Sequence, residues 1–251
     1  MSVTLSITET QVFTALRTVL LTFGLSPTNP NTTLEIIRGL VNRVSEPAGP
    51  DFVAMWPLMQ DRLSMNVETW SDASCTGSIA GNVLTVSDVL SGAVMMGQAL
   101  WVLGGSVPLC TVLAQTSGTP GGAGTYSVTP TPNLSSTTIY NGTKAIQESV
   151  EWTIQVDVHG PVPGNAADNA RRIETLWRDQ FAVDACANAG GIIAPLYCTT
   201  PRQTAFENAE MQYEERWSID LAMQVNPVMT VPAQFASTIK VTAEAVQSLA
   251  A

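Results

Sequence analysis

Charge is almost absent from one long stretch of this 251-residue chain. Between residues 73 and 143, a span of 71 positions, Asp88 is the sole charged residue, while the rest of the chain holds the other 31 of 32 charges. Gly, Ser, Thr and Val dominate this low-charge stretch, and segments with strand-like alternation flank it on both sides. The contrast predicts a module of residues 73–143 inserted into a host domain made of 1–72 and 144–251.

Features that mark membrane, exported and nucleic-acid-binding proteins are also missing. No apolar run reaches the roughly 18 to 20 residues that cross a bilayer, and MSVTLSITETQ has neither the basic start nor the apolar run of a signal peptide. Acidic residues outnumber basic ones by 21 to 11, for a formal net charge of −10. This charge disfavours binding to DNA through a basic patch. We therefore expect a soluble, unexported protein with no membrane partner.

The cysteines are few and widely spaced. Cys75, Cys110, Cys186 and Cys198 form no C-x-x-C pair, so neither a zinc ribbon nor a thioredoxin-like redox site is indicated. They are interpreted as buried thiols. A bridge between the last two cysteines is sterically conceivable, although a reducing cytosol argues against it.

Residues that carry enzyme chemistry are equally scarce. The single histidine, His159, ends a predicted strand beside a Gly-Pro pair and is interpreted as a turn residue or capping donor. No G-x-x-x-x-G-K-[ST] phosphate loop occurs, and the glycine run at 121–124 is interpreted as a turn. The carboxylates near the last long strand have no convergent partners. The sequence therefore predicts no catalytic residue, no cofactor and no metal site, and a protein that is not an enzyme.

The predicted host domain has clear helix and strand periodicities. Thr8 and Gln11 fit a capping box that opens an amphipathic helix over about 9 to 23. Asn165 and Asp168 cap a second helix, whose apolar stripe continues to Phe181. Segments with strand character are 35–44, 62–70, 150–158, 192–199, 211–225 and 237–241, and 200–210 is interpreted as a polar connection.

These elements predict an α+β fold. The host is an α/β sandwich in which a mainly antiparallel sheet carries two helices on one face. The low-charge stretch has short β-favouring runs at 82–86, 112–115, 125–128 and 135–140, separated by Gly-rich turns. It is predicted to be a small all-β domain of four to six strands.

Charged residues on two host elements are candidates for contacts between subunits. Arg171, Arg172 and Arg178 lie on the second predicted helix, where they can form salt bridges within a chain or across a subunit boundary. Glu214 and Arg216 lie on the polar side of the last long strand. These five residues form the predicted subunit interface.

Several phrases of the chain carry a family resemblance. They are RVSEP at 43–47, the segment 62–70, WTIQVDVHG at 152–160 followed by NAADNA at 165–170, and the strand from 213 to 225. The most specific is the alternating segment that ends at Gly160 and is followed by an Asn/Asp-capped helix. Over about 1–70 and 145–230 the chain resembles the neck and tail terminator proteins of tailed bacteriophages. The stretch with GSI at 77–79, LTV at 84–86, GQAL at 97–100 and GTPGGAGTYSV at 118–128 resembles a small β module of phage virion proteins.

The resemblance implies a structural virion protein without catalytic residues. Such subunits form a ring, expected to be hexameric, that terminates the tail tube and joins tail to head at the neck. The implied partners are further copies of the chain, the tail tube protein, head–tail connector or neck proteins, and the sheath where the tail is contractile. Genomic DNA would pass through the lumen without specific binding, which an acidic wall favours. The implied location is the virion, after assembly in the host bacterial cytoplasm.

Two other functions stay open at this point. A tail tube, tail completion or decoration protein shares the same small architectures. From a different class, a carbohydrate-binding adhesion module could use Trp101 or Tyr126 as stacking platforms.

Overall fold

The computed structural model of this protein describes residues 3–39, 47, 49, 51–103, 105, 107–207 and 213–232. Within them the helices are Glu9–Thr22 (α1), Ala166–Trp177 (α2) and Gln180–Asn188 (α3). The strands, numbered β1 to β14 in chain order, are Thr4–Leu5, Glu35–Arg38, Phe52–Arg62, Val67–Ala80, Val83–Ser91, Ala99–Val102, Cys110–Gly118, Gly124–Thr129, Leu134–Gln147, Val150–Gly160, Ile193–Cys198, Arg202–Glu207, Tyr213–Val225 and Val228–Pro232.

Six strands close into an antiparallel barrel. Their hydrogen-bonded order is β9–β4–β5–β8–β7–β6, and β6 pairs again with β9 to complete the ring. The chain is therefore mostly β, and the predicted α+β class, a sandwich with two helices on one face, is wrong. Because the barrel is closed, each of these six strands pairs with two others of the six, and none of them is an edge strand of the barrel. The barrel interior is filled by apolar side chains that include Ile79, Leu84, Leu100, Val112, Tyr126, Val128 and Ile139.

The turn between β7 and β8 shows why this stretch is rich in glycine. Gly118 has a φ of +96°, and a Cβ at this position would lie 2.1 Å from the backbone oxygen of Ala123. Both the conformation and the space therefore require a residue without a side chain. The glycine run at 121–124 belongs to this hairpin turn, as the sequence predicted.

A second sheet has the strand order β11–β13–β10–β3–β2, and β12 also pairs with β13. Its pairs are antiparallel except for β2 and β3, which run parallel. Alternate residues of β10, namely Ile154, Val156 and Val158, are fully buried in the same core as apolar residues of all three helices. We call this the helical face of the sheet. The intervening residues of β10, including Asp157 and His159, lie on the second face.

The helices begin and end where local chemistry dictates. At α1 the Thr8 hydroxyl accepts from the backbone of Gln11 and the Gln11 side chain accepts from the backbone of Thr8, which confirms the predicted capping box. The predicted second helix is two helices, because α2 ends before Asp179 and the Asp179 carboxylate accepts from the backbone of Phe181 to start α3. Among the described residues, no helix combines the length and apolar character needed to cross a membrane.

Two assignments made from the sequence, one of a strand and one of a connection, are wrong. The segment 62–70 is interrupted, because β3 ends at Arg62, the connection 63–66 is exposed, and β4 begins at Val67. The connection 200–210 contains β12, which pairs with β13. Alternation of apolar and polar residues predicts a strand only where one face of the strand is buried. Neither the polar edge strand β12 nor the exposed connection 63–66 has one buried face among its described side chains, so the pattern was misleading in both places. Residues 43–46 of the resemblance and the predicted strand 237–241 lie outside the described residues.

The described residues group into two compact units. Those within 5–67 and 147–228 form the sheet unit, and those within 68–146, together with 3–4 and 229–232, form the barrel unit. The predicted domain boundaries, 1–72 with 144–251 around 73–143, stay a prediction.

Candidate subunit interface

Helix α2 carries the first predicted interface residues on its exposed side. Its buried stripe of Ala170, Ile173 and Trp177 packs into the core of the sheet unit and fixes the rotation of the helix. Arg171 and Arg172 are consequently exposed to solvent. The orientation of both arginines thus follows from the apolar spacing of the helix.

Arg178, at the C-terminal end of α2, is engaged within its own chain. Its Nε lies 3.3 Å from Sγ of Cys198, and its guanidinium also donates to the Cys198 carbonyl oxygen at 2.9 Å. A salt bridge of 3.2 Å joins it to Glu174, one turn earlier. Burial raises the pKa of the Cys198 thiol, and the Arg178 charge acts in the opposite direction. The contacts of Arg178 therefore hold α2 against the end of β11.

The four cysteines match their predicted role. All four are buried free thiols, and burial raises the pKa of Cys75, Cys110 and Cys186 to about 11. Thiols with such a pKa stay protonated at neutral pH and are poor nucleophiles. Cys186 and Cys198 form no bridge.

Arg171 lines a shallow cavity on the helical face of the sheet. The cavity has a volume of about 240 Å³, and Asp168, Glu174, Thr200 and Trp217 are among its lining residues. Its lining thus combines one cation with two carboxylates.

The other predicted interface residues lie on the second face of the sheet. Arg216 on β13 donates to Oδ2 of the buried Asp157 on β10 at 2.6 Å, while Ser218 donates to Oδ1 of the same carboxylate at 2.6 Å. Gln155 adds a third hydrogen bond to Oδ1 at 2.7 Å. Glu214 is two residues before Arg216 on β13 and shares its face. The Arg216 charge is thus balanced inside the chain.

The five predicted interface residues are therefore not brought together. Three lie on the helical side of the sheet and two on its second face. Of the three arginines on α2 and at its C-cap, Arg178 has an ion-pair partner within the described part of the chain, and Arg171 and Arg172 have none there. Their role in contacts between subunits stays a prediction.

His159 is buried, and its interpretation as a turn residue is wrong. It belongs to β10, pairs in register with Arg216, and stacks on the ring of Phe52 with centroids 4.2 Å apart and planes inclined by 9°. Burial lowers the pKa of His159 to about 4, the positive charge of Arg216 acts in the same direction, and Asp157 opposes both. A neutral imidazole in this position is a packing residue.

In the part of the chain that the structure describes, no group of three or more His, Cys, Asp or Glu residues could hold a metal ion. The described residues form a closed barrel and a sheet packed against helices, and two arginines on α2 are exposed.

Comparison with known protein families gives a match. The family model described as phage neck terminator protein matches residues 85–247, well over half of the chain. The chain belongs to the phage neck terminator family. Comparison with curated proteins gives no match.

Membership fixes the general role of this neck terminator. It is a structural component of the phage tail and neck, within the virion, and it works in contact with other head or tail proteins. The family match begins at residue 85 and so includes most of the low-charge stretch. The match also contains the second stretch of the resemblance, 145–230, and leaves the first stretch, 1–70, outside it.

The carbohydrate-binding alternative for this neck terminator loses its physical basis. Trp101 and Tyr126, the proposed stacking platforms, are both buried. The Tyr126 hydroxyl moreover donates to the Gly122 carbonyl oxygen at 2.6 Å. Neither ring is available to stack on a sugar.

Sequence reasoning missed the buried polar cluster of the neck terminator. Asp157 alternates with buried valines, which is the pattern of a solvated polar face. Its three hydrogen-bond donors come from Gln155 on the same strand and from Arg216 and Ser218 on β13. The pairing of β10 with β13 could not be derived from the residues alone, and no local signal marks the cluster.

The stability of the neck terminator is expected to fall in mild acid because of His159. Its pKa is about 4 in the folded state and about 6.5 in the unfolded state. The unfolded chain therefore takes up a proton first as the pH falls. The contribution of His159 to the free energy of unfolding is complete above pH 6.5 and is lost progressively as the pH falls from 6.5 to 4, by about 3 kcal/mol in total.

Denaturant unfolding at a series of pH values between 7 and 4.5 measures this effect. The control is His159→Gln, which removes the only histidine of the chain. We expect the variant to have a flatter pH profile between 6.5 and 5, where few carboxylates titrate. Identical slopes for the two proteins would show that the imidazole is not the titrating group.

Proposed function

We propose that this neck terminator assembles into a closed ring of identical subunits, expected to be hexameric, which ends the tail tube and joins tail to head. The family match carries this proposal, because it runs through parts of both compact units and so concerns the body of the chain. A closed ring needs a heterologous contact, in which two different surfaces of the same subunit meet. Arg171 and Arg172 are exposed cations suited to one side of such a contact.

The proposed partners follow from this position. The ring would contact the tail tube protein on one side and head–tail connector or neck proteins on the other, with the sheath added in a contractile tail. Genomic DNA would pass through the lumen without specific binding. A net charge of −10 supports this, because acidic groups repel phosphate. Assembly would take place in the host bacterial cytoplasm.

We also propose that residues 73–143 form an appended β module of the subunit. The closed barrel with its own apolar core supports this proposal. Its near lack of charge suits contacts that depend on shape and hydroxyl groups, since Asp88 is the only charged residue in the stretch. A module of this kind could add contacts beyond those of the ring.

Electron microscopy of the purified protein, with its mass measured in parallel, tests the ring. We expect particles with a central hole and the mass of six subunits. Stacking into long tubes would instead identify a tail tube protein, and a particle without a hole would favour a tail completion or decoration protein. A second test removes the gene from the phage. Free tails and free heads are then expected in place of joined virions.

A further inference from the structure

The connection between β3 and β4 presents an unusual apolar surface. Leu63, Met65 and Val67 are all exposed, and the Met65 side chain is 88% exposed. We call these three residues the apolar knob. Burial of an exposed apolar side chain against a partner is favourable, because it removes apolar surface from water. An apolar patch of this kind is therefore typical of an interaction site.

The knob is held in place by hydrogen bonds at its base. The backbone N–H of Leu63 donates to the carbonyl oxygen of Ser149 at 2.9 Å. The guanidinium of Arg62 donates to Oδ1 of Asn66 at 2.6 Å and forms a 3.1 Å salt bridge with Glu148. A surface that is ordered before binding loses less conformational entropy when a partner docks.

An apolar groove lies elsewhere on the same sheet unit. It has a volume of about 260 Å³ and is formed by the end of α1 and the segment that leads into β2. The groove is large enough to accept an apolar side chain, and Leu21 at its edge is half exposed. Its apolar lining residues are Leu20, Leu21, Leu25, Pro27, Leu34 and Ile36.

Two arginines border the groove. The Nε of Arg17 donates to the carbonyl oxygen of Ile36 at 3.0 Å, and the guanidinium of Arg172 donates to the carbonyl oxygen of Gly24. Both arginines are exposed, and within the described residues neither is paired with a carboxylate. The groove is therefore apolar inside and has two arginines at its edge, with one exposed carboxylate, Glu35, between the lining residues Leu34 and Ile36.

The knob has the opposite charge at its edge. Asp61 precedes it on β3, is exposed, and forms no ion pair with any cation among the described residues. The two surfaces thus match in apolar character and are complementary in charge. Complementary charges at the rim of an interface favour one register and suppress others.

We propose that the knob of one subunit inserts into the groove of a second copy of this chain, with Asp61 facing Arg172 and Arg17. This inference rests on the proposed ring and supplies its subunit contact. Knob and groove are different surfaces, so the contact is heterologous and leaves each subunit free to bind two neighbours. Contacts of that kind close into rings when the rotation between neighbours is suitable.

The first test is Met65→Asp, followed by sedimentation velocity over a range of concentrations. We expect the dissociation constant of the assembly to rise by about 10- to 100-fold, because a charge replaces a buried apolar side chain. The matched control is Met96→Asp in the barrel unit, where Met96 is 77% exposed and lies outside the proposed contact. Equal effects of the two substitutions, or an unchanged assembly in Met65→Asp, would overturn the proposal.

A charge exchange tests the register of the contact. Asp61→Arg and Arg172→Asp are each expected to weaken association, and the double variant is expected to recover most of the loss. Circular dichroism confirms that the exposed substitutions leave the fold intact. If the double variant is as weak as the product of the single effects, the two side chains do not face each other and the proposed register is wrong.

A mixing experiment tests the head-to-tail arrangement. Met65→Asp lacks a working knob and Leu21→Asp lacks a working groove, so each protein alone should be monomeric. Their equimolar mixture retains one intact knob and one intact groove, and a species of two subunits is expected. Failure of the mixture to associate would overturn the pairing of these two surfaces.

The two proposals can fail separately. A wild-type protein that stays monomeric at all concentrations would overturn both the knob-and-groove contact and a self-assembling ring. A wild-type ring that is insensitive to Met65→Asp would overturn only the contact. Association that depends on Met65 in a phage whose heads and tails join without this protein would overturn only the neck function.

Discussion

Replacement of Trp177 by alanine is expected to lower the free energy of unfolding by about 3 to 5 kcal/mol. The indole is 2% exposed and packs α2 against the sheet. Its Nε1 donates to the carbonyl oxygens of Tyr197 at 3.1 Å and Ala222 at 3.3 Å. The substitution therefore leaves a cavity and removes a donor from two carbonyls on β11 and β13.

Urea unfolding monitored by circular dichroism measures this loss. Trp70→Ala is the matched control, because Trp70 is half exposed and belongs to the barrel unit. Trp177→Phe, which keeps most of the volume but not the donor, is expected to fall between the two. A Trp177→Ala protein as stable as Trp70→Ala would mean that the stripe of α2 is not buried in the folded protein.

The second large effect is expected for Asp157→Ala. Asp157 is fully buried and receives hydrogen bonds from Gln155, Arg216 and Ser218. Removal of the carboxylate breaks the ion pair with the partly buried Arg216 and takes the acceptor from two further donors, at a cost of about 3 to 5 kcal/mol. Thermal unfolding of the variant and the wild type at neutral pH measures the difference.

Two controls separate the charge from the shape of this side chain. Asp157→Asn keeps the shape and is expected to recover part of the loss through its remaining oxygen. Glu148→Ala breaks the more exposed salt bridge to Arg62 and is expected to cost about 0 to 1 kcal/mol. A small loss in Asp157→Ala, similar to that of Glu148→Ala, would contradict a structural role for the buried cluster.

Elements with a strong local signal were predicted well from the sequence. The capping box of Thr8 and Gln11 and the apolar period that follows it define α1 within one residue. The alternation of β10 likewise matches its observed bounds, apart from two added residues at its end. In both cases the pattern of burial repeats over several turns or residue pairs, so one local signal is sufficient.

The errors fall where burial is two-sided or absent. The first half of β3 is buried on both faces, so Phe52, Val53, Ala54 and Met55 show no alternation and the strand was not predicted. The connection at 63–66 alternates by chance and was taken as a strand. Closure of the barrel depends on the pairing of β6 with β9, residues that are about 40 positions apart in the chain. That pairing carries no local signal, and the fold class was wrong as a result.

The candidate interface shows the same limit. The helical period placed Arg171 and Arg172 on an exposed side, which follows from the stripe of Ile173 and Trp177. The same period could not reveal that Arg178 reaches Cys198 or that Arg216 reaches Asp157. Those contacts join different elements of the same chain, so both side chains are engaged in contacts within one subunit.

The sequence by itself determined the nearly uncharged stretch, the capped first helix, the buried thiols and the family of this neck terminator. Each of these depends on composition or on residues close together in the chain. Only the tertiary structure decided the closed barrel, the buried Asp157 cluster, and the separation of an exposed apolar knob from an open apolar groove. These depend on strand pairing and on burial, which arise when distant segments come together and are not encoded in any local period.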